Sequence, residues 1–139
     1  MKYILIYISV IFVFTSCTSD KNYEIKVPDF NSRDSLDWAG VYAGVLPCED
    51  CEGIQTKLTL TQDNTFGLEQ TYSGKNSEPV KHYGSFKWNT DGTKIQLLRL
   101  EKRGGIIYFI VGEGQLIQLT SNAERYPEDI ERKYLLKKL

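Results

Sequence analysis

The sequence predicts an all-β fold, a small antiparallel meander closed into a β-barrel. Two observations predict it. Eight candidate strands follow one another at a spacing of roughly ten residues, and most joints between them are short runs of turn residues. Closing such a meander on itself removes the exposed edges that an open sheet would keep, which favours a barrel over a sandwich. The 139 residues, 41% apolar with a net charge of −1, suit a single small domain with an ordinary core.

Each element has its own reason. WAGVYAGVL (38–46) reads as the first strand and IQTKLTLTQ (54–62) as the second, with Ile54, Thr56, Leu58 and Leu60 on one face and Gln55, Lys57, Thr59 and Thr61 on the other. That alternation marks a half-buried strand. Asp63 and Asn64 turn the chain into TFGLEQTYS (65–73), where Phe66, Leu68, Gln70 and Tyr72 share a face. A polar loop, 74–79, leads to VKHYGSFKWN (80–89), and TDG turns it into TKIQLLRLE (93–101). After KRGG comes IIYFIVGE (106–113), whose unbroken apolar character predicts burial on both faces or a strand crossing a closed core. QLIQLTS (115–121) follows, and RKYLLKKL (132–139) ends the chain as strand or short helix.

The amino terminus differs in kind. Lys2 precedes the apolar run YILIYISVIFVF, then Thr15, Ser16 and Cys17. Residues 1–16 read as a secretory signal peptide, too short to span a bilayer as a mature helix. Cys17, directly behind small Ser16, resembles the lipobox of bacterial lipoproteins, although Phe14 stands where leucine is usual. That resemblance implies a lipidated Cys17 as the first mature residue, and two or more acyl chains on one residue make a stable anchor. Residues 17–37, polar and without clear periodicity, then read as a flexible tether, leaving the domain to 38–139.

With Cys17 carrying lipid, Cys48 and Cys51 are an even pair in an oxidising compartment, expected to be bonded to each other at rest. Their spacing in PCEDC has three chemical uses: a clamp for a soft ion such as Cu(I), a redox centre, or a staple across a turn. The acidic neighbours Glu49, Asp50 and Glu52 would raise a thiol pKa, and a strand rather than a helix follows Gly53, so the redox-enzyme use is disfavoured. The copper use is restrained by the inventory, since the only methionine is Met1 and the only histidine, His82, reads as a strand residue. A disulfide ranks first and copper second.

No catalytic constellation emerges, and a non-enzymatic role is expected. No basic excess points to nucleic acid. The aromatics Trp38, Tyr42, Phe66, Tyr72, Tyr83, Phe86, Trp88, Tyr108 and Phe109 read as barrel core. Should the barrel instead keep a cavity of roughly a few hundred Å³, some of them would line a site for a small apolar ligand.

The run WAGVYAGVLPCEDCEGIQTKLTL resembles the amino-terminal domain of the NlpE lipoproteins, a family described by copper resistance and envelope stress. Trp38, Gly40, Tyr42, Gly44, Leu46, Pro47, Cys48, Cys51, Gly53 and Ile54 carry the resemblance, followed by Thr56, Leu58 and Leu60. It continues more loosely through Tyr72, Gly84, Phe86 and Trp88, covering 38–139. The resemblance implies a lipocalin-like barrel, outer-membrane anchoring by lipid with the domain facing the periplasm or the exterior, and sensing of surface contact, misprocessed lipoproteins or copper. It also implies an envelope-stress partner, the sensor kinase of the Cpx system. The family's best-known members add an OB-like domain with a second cysteine pair, and this sequence is expected to carry the first domain alone. The rival expectation is a lipocalin-like carrier of a small apolar ligand at the outer membrane.

Overall fold

The computed structural model of the chain describes residues 31–75, 78–98, 100 and 106–139. The expected signal peptide, Cys17 and tether residues 18–30 lie outside them. Eight strands, β1 (Gly40–Leu46), β2 (Gly53–Leu60), β3 (Thr65–Ser73), β4 (Val80–Trp88), β5 (Lys94–Leu97), β6 (Ile107–Gly112), β7 (Gln115–Gln118) and β8 (Leu135–Lys138), form a closed barrel in chain order. Every neighbouring pair is antiparallel, and β8 returns to β1 through Tyr42↔Lys138 and Ala43↔Lys137.

Alternation sets the lumen. Along β2, Thr56, Leu58 and Leu60 are buried while Gln55 and Lys57 are exposed, and the register Leu58↔Leu68 and Leu60↔Phe66 carries the buried face onto β3. Tyr42, Leu58, Leu60, Ile95, Leu97, Phe109, Val111, Leu116 and Leu136 are each under 2% exposed and fill the barrel. Each such side chain contributes about 1.5–3 kcal/mol on burial. The β1–β2, β3–β4, β5–β6 and β7–β8 connections lie at one end, called the cysteine end here. The chain's entry before β1 lies at the other.

On the β2–β4 side the core thins toward the cysteine end, although Leu46 at the end of β1 stays buried. The inward positions of these three strands nearest that end, Ile54, Gln70, Tyr72, Val80 and His82, are only part-buried. The entry end is packed shut: Trp38 stacks edge-on against Phe86 and Trp88 with ring centroids 5.8 and 5.3 Å apart, a favoured aromatic geometry.

Four sequence expectations are corrected. The stretch read as the end of a flexible tether forms a helical turn, α1 (Ser32–Ser35), because the Asn31 side chain accepts a hydrogen bond from the Asp34 N–H at 2.8 Å. The Arg33 N–H also reaches the Gly92 carbonyl in the β4–β5 turn (3.0 Å), and Trp38 Nε1 donates to the Arg33 carbonyl (2.9 Å), so residues 31–37 pack on the domain. β6 buries one face through Phe109 and Val111, and Tyr108 and Ile110 on the other remain part-exposed. β5 ends at Leu97 rather than 101. Tyr83, expected in the core, is 74% exposed: its partner in the register is Gly67, on the outward side of the sheet.

The ambiguous carboxyl end proves to be both alternatives. α2 (Glu128–Glu131) runs into a 3₁₀ turn, Arg132–Tyr134, and then into β8. Glu131, buried at 9% exposure, is held by Arg125 in a two-point ion pair at 2.6 and 2.8 Å, the strong form of such a contact.

Candidate functional site: the cysteine loop

Leu46 closes β1 as a core residue and Gly53 opens β2, so the six residues between them, 47–52, must turn at the rim of the barrel. Pro47 brings no backbone donor to this turn. Cys48 and Cys51 are joined by a disulfide across the turn, with Cα atoms 5.3 Å apart. Asp50 Oδ1 sits 3.6 Å from Cys48 Sγ, and Gly53 O sits 3.4 Å from Cys51 Sγ.

The β3–β4 loop braces this turn from the side. Glu52 N–H donates to the Ser73 carbonyl at 3.3 Å. Lys75 Nζ pairs with Asp50 Oδ2, and hydrogen bonding and charge from that ammonium hold the Asp50 carboxyl below its ordinary value. Asp50 therefore divides its oxygens, one toward the sulfur and one toward the lysine.

The donor set suits a metal ion once the disulfide is reduced. One ligand atom each from Cys48, Asp50 and Cys51 lies within 4.8 Å of the others. Two thiolates on a short turn are soft donors fit for Cu(I), and the carboxylate adds a harder oxygen that a divalent ion would use. His82 does not join this cluster. It sits opposite Leu68 in the β3–β4 register, on the inward side of the sheet. Cys17 lies outside the described residues.

Sequence reasoning missed Lys75, although the signal was present. The β2–β3 hairpin pairs Gly53 with Ser73, so continuing outward by two residues brings Cys51 and Lys75 opposite one another. Taking the register from the Asp63–Asn64 turn would have placed a cation beside the acidic cysteine loop.

A groove of about 370 Å³ lies elsewhere, on the outward face between Val45, Gln55, Lys57 and Thr71. It does not open into the lumen, because those positions alternate with the buried ones.

Comparison with known proteins follows the same lines. The NlpE N-terminal domain model matches residues 42–129. Over 56 residues the chain is 39% identical to lipoprotein NlpE of Escherichia coli K12, an alignment covering 40% of this chain and 24% of that protein. The matched segment thus spans about a quarter of that relative's length. Among solved structures, a Shewanella oneidensis protein classed as a lipoprotein is 44% identical, with a TM-score of 0.69 over 78% of this chain and 94% of that one. The Cpx pathway activator NlpE from E. coli is 28% identical, with a TM-score of 0.54 over 65% of this chain and 45% of that one.

Proposed function

This chain belongs to the NlpE N-terminal domain family, and from that premise we propose that it is a non-enzymatic lipoprotein of the bacterial outer membrane, anchored through Cys17, that uses its cysteine loop in envelope-stress sensing or copper resistance. The observation that carries the proposal is the placement of the Cys48–Cys51 loop. It stands at the rim of the barrel, braced by a neighbouring loop, with Pro47, Glu49, Asp50 and Glu52 exposed and the two cysteines part-buried. A filled barrel supplies a rigid support for a reactive turn and little room for cargo. The solved neighbour named as a Cpx pathway activator supports an envelope-stress partner for this chain as well.

In the oxidised form the disulfide ties the turn. After reduction by a dithiol donor, Cys48 and Cys51 would offer two thiolates to Cu(I). Copper bound there would supply no reaction step. The chain's part is to hold two sulfurs on a braced turn and to keep Asp50 beside them.

Metabolic labelling with a fatty-acid analogue tests the anchor. The wild-type chain should carry label and fractionate with the outer membrane, and a Cys17→Ala variant should lose both. Equal label in the two proteins would overturn the anchored reading.

The carrier alternative is less well supported. Large side chains from Tyr42 to Leu136 occupy the lumen where cargo would sit, and a carrier site needs roughly 300 Å³ or more of concave apolar space.

A further inference from the structure

We propose that the outward groove on the β1–β4 wall binds an anionic glycan, the carboxylate-bearing aminosugar chain of the bacterial cell wall, with Tyr83 as its stacking platform. The inference is independent of the cysteine loop and of any metal.

The groove is built into the sheet. Its larger hollow, of about 370 Å³, has Ala43, Val45, Gln55, Lys57, Glu69 and Thr71 in its lining. A second hollow of about 110 Å³, with Thr59, Gly67 and Tyr83 in its lining, shares Lys57 and Glu69 with the first. Small residues keep the depression open: Ala43 stands opposite Lys57, and Gly67 stands between Thr59 and Tyr83. Tyr83 leans over Gly67, where an added Cβ would stand 3.2 Å from its Cε1, and is still 74% exposed. The ring thus rests on the sheet and keeps most of its apolar body free for a ligand.

Charge selects the sign of that ligand. Within the eight strands Glu69 is the only acid, against Lys57, Lys81, Lys87, Lys94, Lys137 and Lys138. Acids gather instead at the two ends, with Glu49, Asp50 and Glu52 in the cysteine loop and Asp34, Asp37 and Asp63 at the entry end. A basic wall between acidic ends draws an anion to the wall.

The shape and lining select a glycan among anions. β2 and β3, which form the floor, are paired along both edges, so no strand edge is offered to a peptide. A flat bilayer cannot follow a concave floor, whereas a single chain can. Gln55, Thr59, Thr71, Lys57 and Glu69 supply the amide, hydroxyl and charged groups that sugar hydroxyls and acetamido groups hydrogen-bond, and the Tyr83 ring suits the apolar C–H face of a sugar. Lys81 pairs with Glu69 at 3.5 Å. Lys57 has no ion-pair partner among the described residues, which makes it the ammonium for an isolated carboxylate. A cluster of phosphates would meet Glu69 beside it; a chain with a carboxylate on every second sugar would not have to.

The test is calorimetric titration of the full chain in detergent with a cell-wall tetrasaccharide of alternating N-acetylglucosamine and N-acetylmuramic acid, with the neutral tetrasaccharide of N-acetylglucosamine alone, and with tetraglutamate. Saturable binding of the first is expected, with the neutral sugar about threefold weaker. Tyr83→Ala should weaken both sugars roughly five- to tenfold, and Tyr83→Phe, which keeps the ring, by less than about twofold. Lys57→Met should make the two sugars bind alike, while Lys133→Met, which removes a charge from the β7–β8 connection, should change neither. Wild type that takes up no tetrasaccharide, or a Tyr83→Ala variant that binds it as wild type does, would overturn the proposal. Tighter binding of tetraglutamate would do the same by making the groove a peptide site, and self-association lost in Tyr83→Ala would assign the groove to a second copy of the chain. A carboxylate preference that survives Lys57→Met would also overturn it, as the mark of a general field effect.

Discussion

At the scale of single residues, Tyr42 shows how one side chain serves both the core and the entry end. Its ring is fully buried, and its hydroxyl donates to the Trp38 carbonyl at 2.6 Å. Burial, with the negative charge of Asp37 adding to it, pushes the phenol up from 10.0 to about 12. The folded state therefore binds this proton more tightly than the unfolded chain. The resulting stability is fully present below pH 10 and is lost as pH rises toward 12. Tyr42→Phe should cost about 1–2 kcal/mol at neutral pH, and should flatten the alkaline limb of a denaturant-midpoint profile. An alkaline limb unchanged by the substitution would assign that titration elsewhere.

Acid acts in the opposite direction. The Asp50, Asp63 and Glu131 carboxyls are all held below their ordinary values, Asp50 by Lys75, Asp63 by the hydroxyls of Thr61 and Thr65, and Glu131 by Arg125. Their contribution is present above the carboxylate range and disappears as pH falls below it. Of these residue-level facts, the sequence revealed the identity of Tyr42 as core and of Cys48 and Cys51 as a pair. It hid the partners, because an ion pair such as Lys75–Asp50 joins positions twenty-five apart and exists only after the hairpin register is fixed.

At the scale of elements, the barrel closes through one of its shortest strands. β8 has four residues and meets β1 in two register pairs, whereas β2 and β3 share eight. Gly44 permits this seam: a Cβ there would stand 2.6 Å from the Leu135 carbonyl and 3.0 Å from a Leu136 methyl. Gly44→Ala should therefore destabilise by about 1–3 kcal/mol, as overpacking commonly does. Hydrogen exchange should report the loss first at β8 and the β1 face against it. Uniform loss across β2 and β3 would show that the seam is not the weak point.

Strand positions were legible from alternation wherever one face met solvent, as in β2. β6 misled because its outward residues Tyr108 and Ile110 are apolar as well, and apolar run length carries no information about which face is buried. α1 escaped because four residues are too few for a period, and its cap is a single asparagine.

At the scale of the whole molecule, the barrel has two unlike ends. The entry end is sealed by Trp38, Phe86 and Trp88 and fastened by Lys138, whose Nζ donates to the Asp37 carbonyl at 2.6 Å and pairs with its carboxylate at 2.9 Å. The cysteine end has part-buried polar residues beneath an exposed turn. Both tryptophans of the chain belong to the sealed end. On the proposed anchor through Cys17, the protein in vesicles bearing dansyl headgroups should transfer tryptophan excitation to the lipid. A variant with Trp38 and Trp88 replaced by phenylalanine and Val45 by tryptophan, on the outward face near the cysteine end, should show lower transfer. Equal transfer from both positions would show that the barrel lies on its side.

The docking of residues 31–37 makes the chain enter the domain at the sealed end, opposite the cysteine loop. With lipid on Cys17, residues 18–30 allow a reach of at most about 45 Å, and nine-residue strands add roughly 30 Å more. On the proposed anchor, the point of attachment lies behind the sealed end of the barrel and the disulfide at the opposite end. A partner that reads the loop, as proposed above, would then meet it on the face turned away from the point of attachment.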